Sequence, residues 1–167
     1  MCGGGRLARK NERMIRKYDY RRVLPHLQKD SRAVFVSFNT LSRWEIPAAA
    51  RDLVLDCCVF QHKKMVLLHI VVVMPDHVHL IFAPLHDGDR GPFSVPEIMQ
   101  SIKGVSAHRV NKLLGRVGHV WQNESFDHVL RSDESLAEKI EYVRQNPVRR
   151  GLCRRPEQYR WLWVNPE

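Results

Sequence analysis

Residues 65–84 constrain the fold more than any other stretch. They read MVLLHIVVVMPDHVHLIFAP, almost wholly apolar. The run has the length of a bilayer span, but His69, Asp76, His77 and His79 lie inside it and Pro75 interrupts it. Ionisable side chains are costly in lipid, so the run is not expected to cross a membrane. Residues 65–74 and 77–83 each have strand length, and Pro75-Asp76 separates them like a turn. A hairpin and a single bent or bulged strand both fit, and two strand segments are the expectation.

The flanking sequence supplies further elements. Residues 32–41, RAVFVSFNTL, read as a strand rich in Val and Phe. Residues 47–61 read as a helix with Pro47 in its first turn and a stripe of Ala50, Leu53, Val54, Cys57 and Cys58. A loop follows over 85–93. Ser94-Val95-Pro96-Glu97 then has the form of a capping box with proline in the first turn. Ile98, Ile102, Val105 and Val110 carry that helix to about Leu114, where Gly115 ends it. Residues 119–131 read as strand and turn. A last helix is expected over 134–145, capped by Ser132 or Asp133 and closed by Asn146-Pro147. Trp161 and Trp163 are expected in a strap over the core. The order β-α-β-β-α-β-α predicts an α+β ferredoxin-like sandwich, an antiparallel sheet with helices on one face. Residues 32–167 form one domain by this reading, with residues 1–31 as a basic N-terminal arm that is either flexible or ordered on a partner.

Charge narrows the partner. Residues 1–32 hold 10 basic and 3 acidic side chains, while 33–130 hold 9 of each. Residues 131–160 hold 8 basic and 5 acidic, and the whole chain carries +9. A neutral body with basic ends points to an anionic polymer, most simply nucleic acid. The competing reading is a solvated surface with a loose tail. Cys2, Cys57, Cys58 and Cys153 lack zinc-site spacing and read as free thiols in a reducing compartment. No apolar leader opens the chain, so a cytoplasmic, nucleoid-associated protein is expected.

Two groups of residues carry possible chemistry. His77 and His79 are two apart, so on a strand they share a face, while Val78 and Leu80 enter the other. Paired imidazoles suit a metal, and they equally suit a solvent-facing strand. On the last helix, Leu136, Ile140 and Val143 form the buried stripe, and Tyr142 and Asn146 are i, i+4 neighbours on one flank. They are placed to reach a ligand, or else serve as a packing residue and a C-cap. Trp121-Gln122 and Phe126-Asp127-His128 suggest only a strand with aromatic anchors. No P-loop, G-x-G-x-x-G or G-x-S-x-G occurs, which removes support for nucleotide-dependent and hydrolase-elbow chemistry.

Taken in order, Pro75-Asp76-His77-Val78-His79-Leu80, Trp121-Gln122 and Tyr142-Val143-Arg144-Gln145-Asn146-Pro147-Val148-Arg149-Arg150-Gly151 resemble the single-tyrosine HUH transposases. The similarity is greatest to the REP-associated tyrosine transposases within the insertion-sequence-200-like group, and it covers roughly residues 32–160. The resemblance implies a transposase or endonuclease acting on single-stranded DNA beside hairpins through a 5′-phosphotyrosine. It implies Tyr142 as nucleophile, and His77, His79 and Asn146 as ligands of a divalent ion, magnesium or manganese. The resemblance implies no nucleotide cofactor and no membrane, and it leaves a monomer and a homodimer both open.

The chemistry is coherent. A phenol with a pKa near ~10 is a poor nucleophile at neutral pH, so the phosphate must be activated, and a cation can do that. Candidate DNA contacts are Lys103, Arg109, Trp121, Gln122, His128, Arg149 and Arg150, with a stacking role for Trp121 or His128 set against core packing. Two rival readings share the scaffold: a catalytically quiet hairpin-binding regulator, and a metal-dependent hydrolytic nuclease.

Overall fold

A computed structural model of the chain describes residues 32–131 and 136–166. The expected arm, residues 1–31, and the expected cap at Ser132 or Asp133 lie outside the described residues. Strand β1 is Val34–Asn39, helix α1 is Ala48–Val59, β2 is Val66–Val73 and β3 is His77–Pro84. Helix α2 is Val95–Leu114, β4 is Phe126–Val129, α3 is Leu136–Arg144, α4 is Asn146–Arg149 and β5 is Leu162–Val164. The five strands form one sheet in the order β4-β1-β3-β2-β5, and every neighbouring pair is antiparallel. The first six elements, β-α-β-β-α-β, follow the ferredoxin-like order, so the α+β expectation holds.

Pro75-Asp76 makes a tight hairpin between β2 and β3, closed by the Met74 amide donating to the His77 carbonyl at 2.8 Å. Strand β2 carries one irregularity. Its register against β3 shifts between Leu68 and Ile70, which inserts His69 as a bulge residue. Val66 and Leu68 therefore share a face with Val71 and Val73, and Ile70, Val72 and Met74 take the other.

The sheet is packed on both faces. Val36, Phe38, Leu80 and Phe82 meet Ala50, Val54 and Cys58 of α1 and Ile98, Ile102 and Val110 of α2. On the opposite face Phe35, Ile70, Val72 and Ile81 meet Val143 of α3, with Leu130 and Tyr159. This corrects the expectation that all helices lie on one face. The central strands are apolar on both sides, and a bare second face would leave a large apolar patch in water.

Helix α2 begins with the expected capping box, Ser94 with Glu97, and ends at Gly115 with φ 60°. Its stripe differs in one position. Val105 is exposed, while Met99 and Ser106 are buried beside Ile98, Ile102 and Val110. At ~100° per residue the buried arc is centred near Ser106, and Val105 falls roughly a quarter-turn off it. Pro147 does not stop the helical path. It stands in the first turn of α4, where its missing N–H costs no hydrogen bond. The tail is a fifth strand rather than a strap, pairing Leu162, Trp163 and Val164 with Val72, Val71 and Ile70. Cys57, Cys58 and Cys153 are free thiols. Among the described residues no helix is long and apolar enough to cross a membrane.

Candidate functional site

Alternation along β3 sends Val78, Leu80 and Phe82 into the first core and His77, His79 and Ile81 to the face covered by α3. His77 lies opposite Asn39 of β1, and His79 opposite Ser37. The two imidazoles touch, with ring centroids 4.7 Å apart at 71°. His79 also stacks on Phe35 at 5.5 Å. His77 is 8% exposed, and its Nδ1 lies 2.6 Å from Oδ1 of Asp76.

Burial pushes the His77 pKa below the ordinary histidine value, against the opposing pull of Asp76. Burial likewise pushes His79 down to about 3, helped by the charges of His77 and Arg149. Burial alone would raise the Asp76 carboxyl, but its hydrogen bond and charge interaction with His77, followed by the Arg43 and Arg150 guanidinium charges, hold it below the usual range. A neutral His77 therefore donates its Nδ1–H to an ionised Asp76, which fixes the tautomer and leaves Nε2 as a lone-pair donor. Nδ1 of His79 is buried without a hydrogen-bond partner among the described residues.

Helix α3 brings the second group to this face. Val143 is fully buried in the second core, which turns Tyr142 outward at 48% exposure. Asn146 is 9% exposed, and its Nδ2 donates to the Tyr142 carbonyl at 3.3 Å. Arg149 donates to the same carbonyl at 2.7 Å and lays its guanidinium 4.3 Å from the centre of the Tyr142 ring. Lys139 Nζ stands 5.5 Å from the Tyr142 ring and 5.2 Å from the Phe35 ring. One ammonium thus links the exposed phenol to the ring on which His79 rests. Arg150 lies 4.0 Å from Asp76. The histidine pair, Tyr142, Asn146, Arg149 and Arg150 are therefore gathered at one side of the sheet.

The other sequence-derived candidates fall elsewhere or have partners within the chain. Lys103 Nζ donates to the carbonyls of Gln122 (2.7 Å) and Asn123 (3.0 Å) and to the Ser125 hydroxyl (3.2 Å). An ammonium has three donors, so Lys103 is occupied in holding residues 122–125 and is not a free phosphate ligand. Arg109 reaches Cys57 Sγ at 3.5 Å, joining α2 to α1 on the face away from the histidines. Trp121 is buried, donates to Ser106 Oγ at 2.9 Å and meets the Phe38 ring edge-on. It is a core residue rather than a base-stacking one. Gln122 follows it, and its amide donates to the Asn39 carbonyl at 2.9 Å, beside the site. His128 lies opposite Phe35 on β4, on the histidine face.

Asp76, Phe35, Lys139 and Arg43 were not singled out by sequence. Asp76 had a signal, a carboxylate directly before a histidine pair. Arg43 had none. It is the second of two adjacent non-glycine residues with positive φ, Ser42 at 52° and Arg43 at 56°. Its Nη1 donates to Asn39 Oδ1 at 2.6 Å, and its Nε lies 3.5 Å from Asp76 Oδ2.

Among the described residues no group of three or more His, Cys, Asp and Glu is placed to hold a metal ion. A divalent ion here would have the paired imidazoles of His77 and His79 as donors, with an amide oxygen of Asn146 as the third candidate. A buried, unpartnered ring nitrogen on His79 and a carboxylate-backed ring on His77 fit such an ion.

The fold and the site together define an α+β sandwich with paired imidazoles on the sheet face covered by a tyrosine-bearing helix, and fold alone does not give its function. The chain belongs to the IS200-like transposases: the family model described as "Transposase IS200 like" matches residues 51–146, more than half of the sequence. That segment contains His77, His79, Tyr142 and Asn146. A protein of Haemophilus influenzae named as a REP-associated tyrosine transposase is 26% identical over 86 residues, 48% of this chain and 49% of the relative. The match thus spans about half the length of that curated relative. A solved REP-associated tyrosine transposase bound to a REP hairpin superposes with TM-score 0.62 at 16% identity, covering 79% of this chain and 76% of the other. A bacterial tRNA(His) guanylyltransferase-like protein in complex with GTP gives 0.53 at 12% identity, covering 85% and 72%. Both structural likenesses concern the fold alone.

Proposed function

We propose that this transposase-family protein cleaves and rejoins single-stranded DNA beside hairpins, with Tyr142 as nucleophile and a divalent metal at His77, His79 and Asn146. The observation that carries the reading is the placement of an exposed Tyr142 on a helix whose neighbouring Val143 is buried against the histidine-bearing face. The hairpin substrate is supported by the REP hairpin in the structural relative and by the name of the Haemophilus influenzae relative.

Tyr142 Oη attacks a backbone phosphorus. A bond forms between Oη and phosphorus, the bond to the 3′ oxygen breaks, and that oxygen leaves as a 3′-OH after taking a proton. The 5′ side of the strand stays on the protein as a phosphotyrosine. Reversal by a 3′-OH rejoins DNA without a nucleotide cofactor, because the phosphodiester linkage is conserved. Arg149 and Lys139 flank the phenol with positive charge, which favours the approaching phosphate. Asn146 and Arg149 fix the Tyr142 carbonyl and hence the helical turn from which the phenol projects. Asp76 orients His77. A magnesium or manganese ion held by His77, His79 and Asn146 would supply positive charge to the scissile phosphate.

Tyr142→Phe keeps the ring and removes the attacking oxygen. On a hairpin-bearing single strand with manganese, the parent should leave a denaturation-resistant adduct on the 5′-phosphate fragment and release an extendable 3′-OH. Tyr142→Phe should bind the strand and form neither product. Cleavage without an adduct in both proteins would establish the hydrolytic nuclease, and binding without cleavage in the parent would establish the quiet regulator. Manganese titration belongs to the same experiment: the His77→Ala, His79→Ala double variant should lose most of the affinity.

A further inference from the structure

The turn that carries Arg43 is built in an unfavourable backbone conformation. Ser42 and Arg43 both have positive φ, and the Trp44 amide donates to the Leu41 carbonyl at 3.1 Å. This is the pattern of a type I′ turn, whose two central positions ordinarily go to Asn and Gly. Its surroundings hold it there. Thr40 is fully buried, and its hydroxyl lies 2.7 Å from the Trp44 carbonyl and 3.0 Å from the Asp76 carbonyl. The Thr40 amide donates to the Asp76 carbonyl, and the Ile46 amide to that of Pro75 at 2.7 Å. The turn is thereby joined to the hairpin that opens the histidine strand.

The side chain is as constrained as its backbone. Its Nη1 is on Asn39, the residue opposite His77, and its Nε faces Asp76, the partner of His77. The side chain nevertheless remains 55% exposed. These two contacts leave three of the five N–H donors, two of them on Nη2. Beside the histidine pair, Arg43 and Arg150 both lie against the carboxylate of Asp76. An arginine fixed on two sides but open on the third is ordered before any ligand arrives, and its fork of donors matches phosphate oxygens.

We propose that Arg43 is a preset phosphate ligand: it takes a backbone phosphate of the DNA strand lying across the His77–His79 face. The proposal rests on the reading of that face as the DNA-processing site. Strained non-glycine conformations collect where a side chain must be delivered to a ligand, and this one delivers a cation beside the proposed metal residues.

The test uses the full chain in the Tyr142→Phe background, with oligothymidine as the probe. Arg43→Gly removes the cation and suits positive φ, so the turn keeps its shape, and Arg43→Lys keeps the charge. Arg90, exposed in the loop at the far end of β3, provides Arg90→Gln as a charge control. Losing one phosphate contact should lower the slope of log affinity against log salt by about 0.7 and weaken binding several-fold at low salt. Arg43→Lys should restore the slope, Arg90→Gln should leave it unchanged, and manganese affinity should be the same in all four proteins. An unchanged slope in Arg43→Gly would overturn the proposal. So would a loss of manganese affinity with the loss of DNA binding, because Arg43 would then act only by holding Asp76. Adduct formation by the protein with Tyr142 intact, combined with no Arg43 effect, sinks this proposal alone. An Arg43 effect without any adduct sinks the chemistry of Tyr142 alone.

Discussion

The His79 ring packs against Phe35 and His77, and burial holds its pKa down to about 3. An unfolded histidine titrates near ~6.5. The folded value lies below the unfolded one, so the stability that His79 contributes is complete above about pH 6.5. It is lost as pH falls from there toward the folded pKa, at up to about 1.4 kcal/mol per pH unit. Urea unfolding of metal-free protein at pH 7 and pH 5 should therefore show a larger acid loss in the parent than in His79→Gln. Equal losses would mean that His79 is not held neutral. His79 was legible in the sequence because its partner His77 is only two residues away, and Tyr142 with Asn146 because one helical turn separates them. Arg43 was not legible. Its contact with Asp76 joins residues far apart in sequence, and its role depends on a backbone conformation that Ser-Arg does not announce.

The strained turn at Ser42 and Arg43 makes a prediction about its own element. A left-handed conformation costs a non-glycine residue roughly 1–2 kcal/mol, which glycine escapes in part because its unfolded chain is freer. Ser42 is exposed, so Ser42→Gly should stabilise the protein by about 1 kcal/mol and raise Tm by a few degrees. A lower Tm would show that the serine side chain supports the turn. Elements with local signals were readable: the capping box at Ser94, the glycine stop at Gly115 and the Pro75-Asp76 hairpin. Others depended on partners. Strand β5 has three residues and exists because β2 offers an edge. Helix α4 continues past Pro147 because proline is tolerated in a first turn. The position of α3 on the second face followed from the apolar second side of β2 and β3, which alternation alone did not reveal across a bulge.

At the scale of the molecule, charge and packing are separated. Residues 33–130 carry equal numbers of basic and acidic side chains, and the positive excess lies in 1–32 and 131–160. Phosphate contacts add affinity without reading bases. Deleting residues 1–31 should flatten the salt dependence of DNA binding while the preferred hairpin stays the same, as measured by competition between hairpins at two salt concentrations. A changed preference would give the arm a part in recognition. The sheet itself imposes a different kind of constraint. The residue inserted at His69 sets which side chains of β2 face each core from that point to the hairpin. Leu68 and Ile70 pair with the consecutive residues Phe82 and Ile81, so loss of the single codon for His69 would leave a regular, unbulged strand. Ile70, Val72 and Met74 would keep their face and Val71 and Val73 theirs, whereas loss of Val71 would send Val72 and Met74 to the first core and Val73 to the second. Position 69 is the place where this strand can change its count and leave both cores matched.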